Sequence, residues 1–333
     1  MRYVSAIGIL AAALLTACNG NLGGASPAAN GSFARETSQH VIPNGPQTLL
    51  YVASRMGSQV LGFKQSSNGN VSPHVNILGS NTQLNLPISI ALDASGRIFV
   101  ANNDTKVLRF AAGSNGNVSP TAVISGSKTK IGNVIGGIAI DASGHLWVAN
   151  DRPTPEILEF AANANGNVAP LHTISGAATG LDEPAGIAFD ASGKVYVSDA
   201  PSAAIYVFAA GAHGNVAPTA AITGSNTKLN WPVAVAIESN RIVVANELTA
   251  PSITAYKLTA NGNAAPTWTL AGSATGITGP GGVTFDTSGD LFLADVSDAI
   301  LKFAPGAKGN VAPVATIKGS NTLMGDPFGP APL

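Results

Sequence analysis

Asp141-Ala-Ser-Gly-His-Leu-Trp-Val-Ala-Asn150 decides the fold, because the chain repeats it. Close copies occupy residues 93–102 (DASGRIFVAN), 190–199 (DASGKVYVSD), 237–246 (IESNRIVVAN) and 286–295 (DTSGDLFLAD). A copy without its head, LLYVAS, covers 49–54. A second marker, Gly-Asn-Val-x-Pro, starts at Gly69, Gly116, Gly166, Gly214, Gly262 (with Ala264 in place of Val) and Gly309. Its spacing is 47 to 50 residues. Self-similarity at such a period means a solenoid, a propeller or an array.

Working outward from the quoted stretch, each unit reads as four short strands. The first is apolar but small in its middle (88–92, 137–140, 186–189, 233–237, 282–285). An Asp-Ala-Ser-Gly turn follows, whose Asp and Gly suit a tight hairpin. The second strand is apolar at successive positions (98–101, 146–149), as a sheet buried on both faces requires. The third ends in an aromatic residue at Phe63, Phe110, Phe160, Phe208, Tyr256 and Phe303. The fourth, reached through an Asn-Gly type turn, ends near Ile77, Ile124, Ile174, Ile222, Leu270 and Ile317. Helical repeats would need an apolar period near 3.6 and good helix formers, which are missing. Six such units predict an all-β, six-bladed β-propeller over 47–333. The chain starts on a second strand and ends in PFGPAPL (327–333), in register with PAGIAFD (184–190). The C-terminus is therefore expected to supply the inner strand of the first blade. Pro330 and Pro332 each remove a backbone donor there.

Composition narrows the function. Of 333 residues only 11% are charged, and the net charge is −1. That gives no electrostatic footprint for nucleic acid and no basic patch for anionic lipid. Residues 1–17 read as a signal peptide, with Arg2 ahead of an apolar run too short for a permanent span. The segment Leu15-Thr16-Ala17-Cys18 resembles the bacterial lipobox, which implies lipidation of Cys18, the only cysteine. Residues 18–46 are rich in Gly, Ala, Ser, Asn and Pro and read as a flexible tether. The expected location is the bacterial cell envelope outside the cytoplasm, with membrane contact through the lipid alone. By the same resemblance, Asn19 favours an outer membrane where one exists.

The unit PAGIAFDASGKVYVSD (184–199) followed by IYVF (205–208) resembles the NHL repeat, and the resemblance covers all six units. It implies a six-bladed propeller, although the family's usual Asn and Arg between second and third strands are missing. Such propellers serve as binding platforms, lactonases and lyases alike. The resemblance to gluconolactonase-like members implies a metal-binding Asn at Ile88, Gly136, Ala185, Val233, Gly281 or Phe328, none of which can ligate.

The residues after each second strand, Ser54, Asn102, Asn150, Asp199, Asn246 and Asp295, are expected on the top face. A ring of such oxygens could hold Ca²⁺. The simpler reading is that each closes its own following turn. Irregular loops are the better pointer: Asp151-Arg-Pro-Thr-Pro-Glu156, Glu247-Leu-Thr-Ala-Pro251, and Trp231 with the nearby cations Arg55 and Arg152. The five histidines (His40, His74, His145, His172, His213) look scattered, with no metal triad. The expectation is a monomeric, non-enzymatic scaffold that binds a protein or glycan and needs no cofactor. Its binding residues would come from Arg55, Asn102, Asn150, Arg152, Asp199, Trp231, Asn246 and Asp295. The alternative is a metal-dependent hydrolase or lyase with its site at the channel mouth.

Overall fold

The computed structural model describes residues 48–333. The expected signal peptide (1–17), the lipidated Cys18 and the tether (18–46) lie outside the described residues. Strands form six four-stranded antiparallel sheets arranged as a six-bladed propeller. Blade 1 holds β1 (Leu49–Ser54), β2 (Gln59–Lys64), β3 (Val75–Ile77) and, innermost, β24 (Pro327–Pro332). Blade 2 runs from β4 (Ser89–Leu92) to β7 (Ala122–Ile124), blade 3 from β8 (Val134–Ile140) to β11 (His172–Ser175). Blade 4 runs from β12 (Pro184–Phe189) to β15 (Ala220–Ile222), and blade 5 from β16 (Pro232–Glu238) to β19 (Trp268–Leu270). Blade 6 runs from β20 (Pro280–Phe285) to β23 (Ala315–Lys318).

The ring closes as expected, with β24 pairing antiparallel to β1 from Ser54↔Pro327 to Leu50↔Pro332. The prolines are tolerated because an innermost strand pairs on one side only. The register shifts between Tyr51 and Ala53, and Gly329 beside that shift takes φ 50°, which favours glycine.

Packing between blades explains the composition of each strand. In β9 (Leu146–Arg152) six successive residues are buried, because both faces of the sheet meet a neighbouring blade or its own layer. The third-strand aromatics Phe63, Phe110, Phe160, Phe208, Tyr256 and Phe303 are 0–1% exposed. Truncating one to alanine is expected to cost about 3–5 kcal/mol. The inner strands need small residues for a different reason. A Cβ on Gly136 would sit 2.2 Å from the Pro184 carbonyl oxygen, and one on Gly186 would sit 2.8 Å from the Ala234 Cα.

The Gly-Asn-Val-x-Pro marker does more than turn the chain into the outer strand. It joins blades. Gly116 pairs in parallel with Ile77 of the preceding blade, and its N–H donates to the Asn76 carbonyl at 2.8 Å. Asn117 Oδ1 then accepts the Asn81 N–H at 2.8 Å. The same carboxamide bond recurs from Asn167 to Lys128, Asn215 to Ala178, Asn263 to Asn226, Asn310 to Ala274 and, closing the ring, Asn70 to Asn321. Each donating N–H sits in a short 3₁₀ turn that the sequence reading did not anticipate. A buried threonine locks each turn: Thr82 Oγ1 donates to the Gly79 carbonyl at 2.7 Å and accepts the Leu84 N–H at 3.3 Å. Gly79 and its five counterparts adopt φ of 113–127°, and a Cβ there would collide with the clasping Asn.

Candidate functional site

Two places break the six-fold pattern, one on each face. On the top face, the residues that end the second strands are all fully buried: Ser54, Asn102, Asn150, Asp199, Asn246 and Asp295 each show 0% exposure. They bond the loop that enters the inner strand of the same blade, and some also close the following turn as expected: Asp295 Oδ1 accepts the Ser297 N–H at 3.0 Å, and the Asn150 amide donates to the Thr154 carbonyl at 3.3 Å. Asn150 Oδ1 accepts the Gly132 N–H at 2.7 Å, and Asn246 Oδ1 accepts the Asn230 N–H at 3.1 Å. Ser54 Oγ accepts the Gly325 N–H at 3.0 Å. The reason is topological, since the entering loop crosses beside the end of the second strand. The Asn102 amide likewise donates to the Gln83 carbonyl at 2.7 Å. Asp295 is saturated, with Thr278 and Gly279 N–H on Oδ2 and Thr278 Oγ1 and Ser297 N–H on Oδ1.

Asp199 Oδ2 accepts the Asp182 N–H at 2.8 Å, and Ser202 faces the same carboxylate with its hydroxyl and backbone N–H. Asp151 differs: it is 4% exposed, and its Oδ1 has no hydrogen-bond partner among the described residues. Burial pushes the Asp151 carboxyl up to about 6; Arg152 opposes this, and Glu183, Asp182 and Asp199 add to it. Burial also raises Asp199, against hydrogen bonds from Ser202 and the Asp182 N–H. Arg152 pairs with Glu183 and lies 3.5 Å from Asp151 Oδ2. The irregular loop after Asn150 thus places four carboxylates, Asp151, Asp182, Glu183 and Asp199, within each other's field at the mouth between blades 3 and 4. Perturbed carboxylates of this kind concentrate at functional sites.

Elsewhere on the top face the character changes. Arg55 lies 3.4 Å from Asp326 and over the Phe328 ring at 5.7 Å. Burial raises Glu247, Asp326 adds to the rise, and Arg55 opposes it. Trp231 is half-buried with φ 54°. Around them Met56, Leu248, Val296 and Leu323 are exposed on blades 5, 6 and 1.

On the opposite face the histidines are not scattered after all. His145 Nδ1 lies 2.8 Å from Glu159 Oε1, and His172 Nδ1 lies 2.7 Å from Glu159 Oε2. Asp141 Oδ2 is 3.6 Å from His145 Nδ1 and accepts the Trp147 indole N–H at 2.9 Å. The His213 ring of blade 4 stands 5.2 Å from that of His172. Three of the five histidines therefore meet at one blade junction. The register that does this pairs Glu159 with both Trp147 and His172. Sequence reading missed it because His172 reaches Glu159 through strand pairing, at a separation of 13 residues. A signal existed: the counterparts of Glu159 are Gly62, Arg109, Val207, Ala255 and Lys302, so its acid is unique among the six units.

Fold and geometry together define a six-bladed β-propeller. No protein-family model matches the chain, and no curated protein matches it. Solved structures do. A protein of unknown function from Bacteroides caccae aligns with TM-score 0.63 at 12% identity, over 86% of this chain and 99% of that one. A structure of a nidogen/laminin complex aligns with TM-score 0.58 at 14% identity, over 86% of this chain and 98% of that one. At these identities the likeness shows the fold alone.

Proposed function

We propose that this chain is a lipid-anchored, extracytoplasmic propeller of NHL type that binds a protein partner through its top face without catalysing a reaction. The observation that carries the reading is the run of exposed Met56, Leu248, Val296 and Leu323 on the top side of blades 5, 6 and 1. Met56 and Leu248 belong to second-to-third-strand loops, where the units differ most. Exposed Leu171 and Val314 lie on the other side, where the chain enters a fourth strand beside Glu159 and Lys302. Flexible aliphatic and methionine side chains fit a protein surface better than a glycan, which would favour an exposed aromatic platform. A propeller fold in a nidogen/laminin complex is in keeping with such a role.

The test is photo-crosslinking in intact cells from single positions. Met56 and Leu248 are expected to capture one discrete protein, and Leu171 and Val314 are not. Equal capture from both faces, or none from the top, refutes the reading.

Asp151 favours a second reading, a hydrolase or lyase with a cation at the mouth. Calcium titration followed by thermal unfolding separates the two. A calcium-dependent rise in Tm that Asp151→Asn or Asp199→Ala abolishes would displace the scaffold reading. No rise at millimolar calcium removes the enzyme reading's support.

A further inference from the structure

We infer that the junction of blades 3 and 4, on the face opposite the mouth, holds a divalent transition-metal ion of the zinc class. Asp141, His145 and Glu159 are its ligands, and His172 is the residue that orients Glu159. Donor atoms of the three ligands all lie within 4.8 Å of one another. Tetrahedral coordination at Zn–N and Zn–O lengths of about 2.0–2.1 Å spaces donors by about 3.3 Å. The separations of 2.8 Å and 3.6 Å from His145 Nδ1 bracket that spacing, and no donor pair in the set is more than 4.8 Å apart. Binding displaces the proton shared between His145 Nδ1 and Glu159 into solvent.

Charge is the second argument. Glu159 is 7% exposed, and among the described residues its only side-chain partners are the two imidazoles, with no lysine or arginine paired to it. Blade 6 solves the corresponding problem differently, with Lys302 Nζ 2.7 Å from Asp290 Oδ2 at the equivalent positions. Two side chains suffice there. In blade 3 four converge from a turn and two strands, and none carries a permanent positive charge.

The surroundings resemble an outer ligand shell. The Trp147 indole N–H fixes Asp141 Oδ2, and the Ser143 and His145 backbone N–H groups hold Oδ1. His172 holds the Glu159 oxygen that His145 does not. Such outer partners orient ligands and tune affinity. Mixed imidazole and carboxylate donors suit zinc-class ions, whereas calcium and magnesium prefer all-oxygen sets.

The experiment uses the purified full chain, stripped with chelator and titrated with Zn²⁺ by calorimetry and with Co²⁺ by visible absorption. One ion per chain is expected, with a cobalt ligand-field band. Glu159→Gln and His145→Ala should abolish the band, and His172→Ala should weaken binding by about tenfold. His74→Ala and Cys18→Ser should leave stoichiometry and spectrum unchanged. Circular dichroism checks that each variant folds, and His172, with its side chain half exposed, is the variant least able to disturb the core. Failure of the wild-type chain to bind either ion overturns the proposal, as does binding that survives His172→Ala and His145→Ala undiminished.

Discussion

Aspartates on the two faces of this propeller behave in opposite ways. Asp190, in the turn between the inner and second strands of blade 4, accepts at Oδ1 the Ser192 and Lys194 backbone N–H groups and the Ser192 hydroxyl. Its Oδ2 accepts the Tyr196 hydroxyl at 3.0 Å. Burial works against ionisation, but these bonds outweigh it and hold the carboxyl below the ordinary range. Asp93 repeats this in blade 2, where Arg97 adds an ion pair at 2.5 Å. Asp151, at the mouth, is buried with an unpartnered oxygen and is pushed up to about 6. The turn aspartates ionise because the fold donates to them. The mouth aspartate ionises at the fold's expense. A carboxylate that the fold does not satisfy is the better candidate for meeting something outside it.

The sharpest way to break this comparison is to delete one member. Asp190→Ala removes an acceptor of four hydrogen bonds and is expected to lose about 3 kcal/mol in urea unfolding at neutral pH. A loss below about 0.5 kcal/mol would remove the structural role assigned to the turn. Asp151→Asn should do the reverse. A carboxyl whose folded pKa lies above its unfolded value binds protons more tightly in the native state. Its effect on stability is therefore unfavourable above the folded value and disappears below the unfolded one. Wild-type stability should fall as pH rises from about 4 to about 6, by no more than about 3 kcal/mol, and Asp151→Asn should flatten that window. Unchanged pH dependence in the variant would mean that the mouth carboxylate is satisfied in solution.

For Asp93 and Asp190 the sign inverts. Their folded pKa is depressed, so they stabilise above the unfolded value, and that contribution is lost as pH falls through the folded one. Asp93→Asn should therefore destabilise at neutral pH, by about 1–2 kcal/mol, and make unfolding less sensitive to acid below about pH 4. The smallest effect belongs to Asp286→Asn. Its bonds are two backbone N–H groups on Oδ1, which a carboxamide oxygen accepts equally well. A change of less than about 0.5 kcal/mol is expected, and thermal melts at pH 7 suffice to check it.

Much of the fold was legible beforehand, for reasons visible in particular residues. Consecutive burial of Leu146, Trp147, Val148 and Ala149 requires sheets covered on both faces, and the residues say so without a structure. The in-register 327–333 segment announced the ring closure. The interblade role of Asn70 and its counterparts was not legible. A Gly-Asn pair reads as a local turn, while the N–H it satisfies lies 36 to 39 residues away within the ring and 251 away at its closure. Of the candidate site, the sequence put Asn102, Asn150, Asp199, Asn246 and Asp295 at the ends of the second strands, where the structure has them; their complete burial against the entering loops was not legible.

By itself, then, the sequence determined the blade: its period, its four strands, its turns and its count. These follow from local chemistry that is restated six times, so each copy corroborates the others. Only the tertiary structure decided where the copies differ to some purpose. It brought Glu159 between His145 and His172, left Asp151 with an unpartnered oxygen, and satisfied Asp295 completely. Such outcomes depend on strand register and on which loop crosses which strand end, and no single stretch of chain carries either.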